Sequence, residues 1–457
     1  MIKKWFLLGL AAWVLTGCGG GGGGSASSSN AVATSYPASS LCTPADEKTW
    51  VRAHLDDVYL WYSSIINVSA ANYATPIDYF KALLVRAKDR FSFAESQAVI
   101  DAYFTSGQVV GYGATFVRAA DNTLRVAYSE LNSPASLAGI DRGARIVNIN
   151  GTPEGQLTRA AFLAALYPSN SGDTNTFDVF DLGASGTRRV TLTAIAVVGT
   201  PVLKNQVLTM PSGKKVGYMV FNDHTMNAEA PLASAMTEFA AANIDDLVLD
   251  LRYNGGGYLY IASEVGYMIG GAPTKNQVFE QLRFNDKHPE KTNDPTNRVQ
   301  FFDTDTKNTA LPTLGLKRVF VLTGPGTCSA SESIINSLRP FVNVITIGGT
   351  TCGKPYGFMQ TNNCGTAYFA IQFDGINSAG QGGYDTGFAP ACAAADDLAH
   401  PFGDSNERLL ATALTYQSTG ACPVVPLAQA KSALPGPQTV QEIYRAPWRE
   451  NRILTGR

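Results

Sequence analysis

The chain has 457 residues, 45% of them apolar and 16% charged, which is enough for more than one compact domain. Lys and Arg number 35 against 37 Asp and Glu, a formal charge of −2, so no basic excess argues for nucleic acid as a partner. The 44 glycines and 23 prolines point to many turns and to a mixed α/β or β-rich body.

Residues 1–17 read as an export signal, with Lys3 and Lys4 at its start and the apolar stretch Trp5–Leu15, too short to span a bilayer. The stretch ends in Leu15-Thr16-Gly17-Cys18, which resembles a bacterial lipoprotein cleavage box. That resemblance makes Cys18 the expected acylated N-terminus and the membrane a partner through an N-terminal lipid anchor. Gly19 after the cysteine favours the outer membrane by the same resemblance, so the expected address is the bacterial cell envelope, facing the periplasm. Residues 18–40 are rich in Gly, Ser and Ala and read as a flexible tether. Without Cys18, six cysteines remain, an even count that suggests disulfides in an exported chain. Cys392 with Cys422 is the favoured remote pair. Cys352 has two candidate partners, Cys364 across a hairpin and Cys328.

Residues 41–105 read as a small helical region. Thr43-Pro44-Ala45-Asp46 is a helix start, and Trp50, His54, Val58 and Trp61 follow at helical spacing. Tyr79–Lys88 reads as a second helix with Asp78 as its cap, and His54 as a half-buried helix residue. The remaining histidines, His224, His288 and His400, lack metal-ligand spacing, so no metal and no organic cofactor is expected.

Residues 106–198 read as a β-rich module. Gly111-Tyr112-Gly113-Ala114-Thr115-Phe116 precedes a strand, and a short glycine-closed helix leads to Gly143–Gly151, a strand ending in an Asn-Gly turn. The string resembles a PDZ domain. The resemblance implies that Gly111, Tyr112, Gly113 and Phe116 bind peptide, the loop N–H groups receiving a C-terminal carboxylate while the peptide adds as a β-strand.

Residues 199–425 read as an α/β core: strand Lys215–Phe221, helix Ala228–Ala242, buried strand Asp246–Leu251, a glycine turn to Tyr258, and helix Ile261–Ile269. The fold class expected for the whole chain is thus α/β, a mixed α+β multidomain arrangement. Asn276–Asp305 is polar and reads as an insertion or lid-like loop. Strand Val319–Leu322, helix Ser329–Leu338 and strand Val344–Ile347 follow, with strand material at Tyr368–Phe373 and a closing helix at Asp404–Gln417. Residues 426–457 form a Pro-rich tail with a candidate short helix, ending in RAPWRENRILTGR.

The chemistry concentrates in Val319–Gly357. A strand–turn–helix leaves the Ser329 hydroxyl at a helix head, where free N–H groups point outward. Ser329-Ala330-Ser331-Glu332 is followed by Gly353-Lys354, with 354 − 329 = 25, and preceded by Asp250-Leu251-Arg252-Tyr253-Asn254-Gly255-Gly256-Gly257. In order and spacing the two motifs resemble the serine–lysine site of the C-terminal processing (tail-specific) peptidases. The resemblance implies Ser329 as nucleophile, Lys354 as base, and the N–H groups of Ala330 and Gly256 as oxyanion donors. It also implies a protein or peptide substrate bound by its C-terminal region. A lysine base must be kept dry, because lowering its pKa from about 10.4 to about 7–8 costs roughly 3–4 kcal/mol. Many such peptidases place a Gln four residues after the lysine. Phe358 stands there, so Gln360 is the candidate to orient the amine. The other reading is a PDZ-containing lipoprotein with a degenerate site, which binds envelope proteins without cutting them.

Overall fold

The computed structural model describes residues 41–423, 440–445 and 452–454. The export signal, Cys18 and the tether lie outside the described residues. The central sheet has six strands in the order Val202–Thr209, Lys215–Phe221, Asp246–Asp250, Arg318–Thr323, Asn343–Gly348 and Cys392–Ala393. The first pair is antiparallel and the rest are parallel. Parallel neighbours need long crossovers, and helices Glu229–Ala242, Leu259–Gly270 and Ala330–Leu338 lie in them.

Alternation along the strands builds two apolar layers. Met219, Phe221, Leu247, Leu249, Val319 and Val321 pack against those three helices. Tyr218, Val220, Val248, Phe320 and Leu322 face the closing helix Arg408–Thr419. A buried ionic cluster holds the end of Asp246–Asp250 to that helix. Arg252 donates to Asp250, Asp396 and both oxygens of Glu407, which also caps the helix through Leu410 N–H.

The N-terminal helix Pro44–Val58 starts as expected, with Thr43 Oγ1 accepting from Asp46 N–H. The second helix is shorter than expected, Pro76–Leu83, and its cap is Thr75 rather than Asp78. Its threonine hydroxyl takes the first free N–H and donates to the Asp78 carboxylate at 2.7 Å. His54 is buried outright, stacked on Trp50 at 4.8 Å. Both helices cover a three-stranded sheet of Phe93–Ser96, Thr366–Phe369 and Thr361–Asn363, and Cys42–Cys364 staples the chain start to it.

The expected polar lid at 276–305 is instead structural. Strands Val278–Phe284 and Arg298–Gln300 join Phe373–Ile376 and Tyr356–Gly357 in a four-stranded antiparallel sheet, with Phe279 and Leu282 in the core.

Within 106–198, strands Ala114–Ala119, Leu124–Ser129, Arg145–Ile149, Thr174–Phe180 and Arg188–Thr193 run antiparallel beside helix Arg159–Leu166. Among the described tail residues no helix forms. Val440–Tyr444 is a strand that pairs antiparallel with Ala114–Ala119 and becomes the edge of this sheet.

Candidate active site

Strand Arg318–Thr323 runs out at the end of the parallel sheet, and a tight turn carries the chain to Ser329 at the head of helix Ala330–Leu338. Thr327 closes the turn: its hydroxyl donates to Leu251 O at 2.8 Å and accepts from Gly324 N–H at 3.0 Å. Ser329 takes φ +62°, a conformation an L-residue adopts only at a cost. The residue is fully buried, and its Oγ has no hydrogen-bond partner among the described residues.

Lys354 is also fully buried. Its Nζ lies 4.1 Å from the Phe358 ring centroid and 5.1 Å from that of Phe91. Phe358, at the position where many such peptidases carry Gln, thus walls the amine, and Phe91 adds a wall the sequence did not point to. Gly353, just before the lysine, has φ +81°, and a Cβ there would fall 2.3 Å from Asp385 O, so only glycine makes this turn.

Glu332 ties the two loops together. Its Oε2 accepts from Ser329 N–H at 3.0 Å and Lys354 N–H at 2.8 Å; its Oε1 accepts from Gly353 N–H at 2.8 Å and the Thr351 hydroxyl at 2.5 Å. In the sequence Glu332 stands only as the last residue of the serine motif, with no role of its own. Burial pushes this carboxyl up from its ordinary range, against the four donors that pull it down. A disulfide joins Cys328 to Cys352, adding a covalent tie beside the ionic one. This settles the pairing left open by the sequence, and Cys392–Cys422 forms as expected.

Asn254 is the second residue whose role the sequence did not reveal. Its backbone O accepts from Cys328 N–H at 3.0 Å and the Ser331 hydroxyl at 3.1 Å. Its Oδ1 accepts from Gly256 N–H at 2.9 Å and faces His224 Nδ1 at 3.0 Å. The expected oxyanion donor Gly256 therefore has its N–H engaged. In the strand Gly256–Tyr258, Gly256 O and Tyr258 N–H both bond to His224, so the Gly257 N–H faces the opposite edge. Strand Arg452–Leu454 runs along that edge, parallel, with Gly257 opposite Ile453. Ala330 begins its helix, so its N–H has no intrahelical acceptor.

Gln360 does not reach the lysine. Its amide donates to Asp101 at 3.1 Å and Asn362 at 2.9 Å. In the β-rich part, Gly111, Tyr112 and Gly113 line one pocket with Leu166 and Tyr167. Gly113 has φ +76°, and its carbonyl accepts from Glu130 N–H at 2.7 Å; the Tyr112 hydroxyl accepts from Asn175 at 2.8 Å. Phe116 is buried beneath, in the sheet's own core.

Residues 215–366 match the model of peptidase family S41, and residues 46–93 match that of the peptidase S41 N-terminal domain. The fold and these matches define a mixed α/β chain carrying S41 peptidase family domains. It is similar to the carboxy-terminal processing protease CtpB of Bacillus subtilis, 30% identical over 142 residues that make up 31% of this chain and 26% of that one. It is also similar to a carboxyl-terminal-processing protease of a Picosynechococcus species, 29% identical over 261 residues, 56% of each chain. The crystal structure of a Bacteroides fragilis protein assigned to the S41 proteases superposes with a TM-score of 0.63 at 26% identity, covering 81% of this chain and 97% of that one. The chain spans between a quarter and just over half of the length of these curated relatives.

Proposed function

We propose that the chain is a serine endopeptidase of the C-terminal processing type, working through Ser329 and Lys354. The observation that carries this reading is the Glu332 carboxylate, which accepts from the backbone N–H of both residues and holds a serine loop and a lysine loop face to face. The Ser329 hydroxyl is buried at a helix head and carries no hydrogen bond among the described residues, so Lys354 must close to hydrogen-bond reach of it before the attack. Lys354 takes the Ser329 proton as Oγ attacks the scissile carbonyl. Ala330 N–H and, in place of Gly256 and once the strand Arg452–Leu454 paired along its edge has moved off, Gly257 N–H receive the oxyanion. The amine then gives its proton to the leaving nitrogen, and water hydrolyses the acyl-enzyme with Lys354 again as base. The 106–198 module acts as a PDZ-like receiver for the substrate's C-terminal region. The Cys18 box supports a lipid anchor in the bacterial envelope.

The test is cleavage of an unstructured peptide, with Ser329→Ala and Lys354→Ala each expected to lose at least about a thousandfold. Equal activity in either variant refutes the proposal. Two observations favour the rival reading of a non-cutting binder: Gln360 points away from the lysine, and Gly256 N–H is engaged. A fluorophosphonate probe separates them, since a pure binder leaves Ser329 unlabelled.

A further inference from the structure

The tail strand Val440–Tyr444 lies where an added peptide strand would lie on the β-rich module. It pairs antiparallel with Ala114–Ala119, placing Tyr444 opposite Phe116 and Ile443 opposite Val117. Without it, Ala114–Ala119 would be an open sheet edge, a ready template for another strand.

The side chains fit as a ligand's would. Tyr444 is buried between the strand and helix Arg159–Leu166, its ring 5.1 Å from Phe162 in an edge contact. Arg118, held by Glu154 at 2.7 and 2.9 Å, donates to the Tyr444 hydroxyl at 3.2 Å with its guanidinium 5.7 Å from the ring. The Tyr167 hydroxyl donates to Tyr444 O. Ile443 points to the other face, towards the turn before Ser329: a Cβ on Gly326 would meet its Cδ1 at 2.4 Å. Arg445 donates to Tyr253 O, beside the glycine turn. Farther along the same tail, Arg452–Leu454 lines the edge of Gly256–Tyr258.

We infer that the tail strands Val440–Tyr444 and Arg452–Leu454 are an internal ligand covering the edges of Ala114–Ala119 and Gly256–Tyr258, and that the module's groove selects extended peptides presenting an aromatic residue, as Tyr444 does. A substrate segment enters by displacing the tail. This deepens the peptidase proposal by naming what the groove recognises, yet it stands or falls on binding alone.

The test uses the full chain carrying Ser329→Ala, so that nothing is cut, and a fluorescent synthetic peptide of residues 438–457 followed by anisotropy. Adding Tyr444→Ala to the chain weakens the internal competitor, and the labelled peptide should then bind at least tenfold more tightly. A peptide lacking the tyrosine should bind at least tenfold more weakly than the natural one to the same chain. The inference is overturned if Tyr444→Ala brings no gain, or if the tyrosine-free peptide binds as well. Should the Tyr444→Ala chain unfold, comparing the two peptides on the Ser329→Ala chain with its tail intact decides the same question without any tail substitution.

Discussion

Replacing Glu332 with Gln is the sharpest probe of the site, because it changes no shape and removes one charge. Each carboxylate oxygen faces two donors: Ser329 and Lys354 N–H on one, Gly353 N–H and the Thr351 hydroxyl on the other. An amide keeps one acceptor and points an NH2 at the other pair. With the NH2 towards Ser329 and Lys354, two buried N–H groups lose their acceptor, at about 1–3 kcal/mol each. With the NH2 towards Thr351, the hydroxyl can turn, and the Gly353 N–H carries most of the loss. The remaining pair then exchanges charge-assisted bonds for neutral ones of roughly half the strength. Either way the expected cost is at least about 2 kcal/mol, read as a lower urea midpoint at unchanged slope. The proposed peptide cleavage should fall at least tenfold in kcat/KM, because Ser329 and Lys354 lose their common anchor. A variant within about 0.5 kcal/mol of the parent and fully active would show that the carboxylate does not hold the loops, and would refute the reasoning.

The two disulfides Cys328–Cys352 and Cys392–Cys422 span 24 and 30 residues, so loop closure assigns each about 3.5 kcal/mol. Paired Cys→Ser variants should destabilise alike in urea, but only the first should also lower peptide cleavage severalfold beyond its loss of folded protein. Burial lowers His54 and His224 from 6.5 to about 4, so their contribution to stability is complete above pH 6.5 and drains away as pH falls towards 4. Each should cost about 3 kcal/mol by pH 4, and His54→Phe, which keeps the stack on Trp50, should remove its share of that slope in urea melts at stepped pH. Arg252→Leu strands Asp250 and Glu407 without their cation and should cost about 3–5 kcal/mol, with no gain at neutral pH.

What the sequence made legible was local. The serine turn, the glycine turn and the parallel strands between them are contiguous runs whose period and punctuation suffice. What it hid was decided at long range. Nothing near Glu332 announces that its oxygens reach Thr351–Lys354, and Cys42 finds Cys364 across 322 positions. The lid reading failed because charged residues around Pro289–Asn293 masked the alternation of Val278–Phe284. The tail misled for a definable reason: Val440, Ile443 and Tyr444 stand at helical spacing, and only an open sheet edge at Ala114–Ala119 makes a strand of them. Gln360 was chosen by proximity to an expected position, whereas Asp101, far away in sequence, claims its amide.

The backbone of Ser329 explains why so many ties converge here. Its φ of +62° stores on the order of 1–3 kcal/mol, and such strain persists only where neighbours over-determine it. They do: Ser329 N–H is held by Glu332, Cys328 N–H by Asn254 O, and Cys328 itself by the bond to Cys352. The N–H groups of Cys328 and Ser329 are thus engaged while the serine hydroxyl is not, which leaves a group aimed by its main chain rather than by a partner of its own. The same turn meets Ile443 through Gly326, and the glycine turn meets Arg445 through Tyr253. The strand seated on the module's edge therefore touches both halves of the site at once.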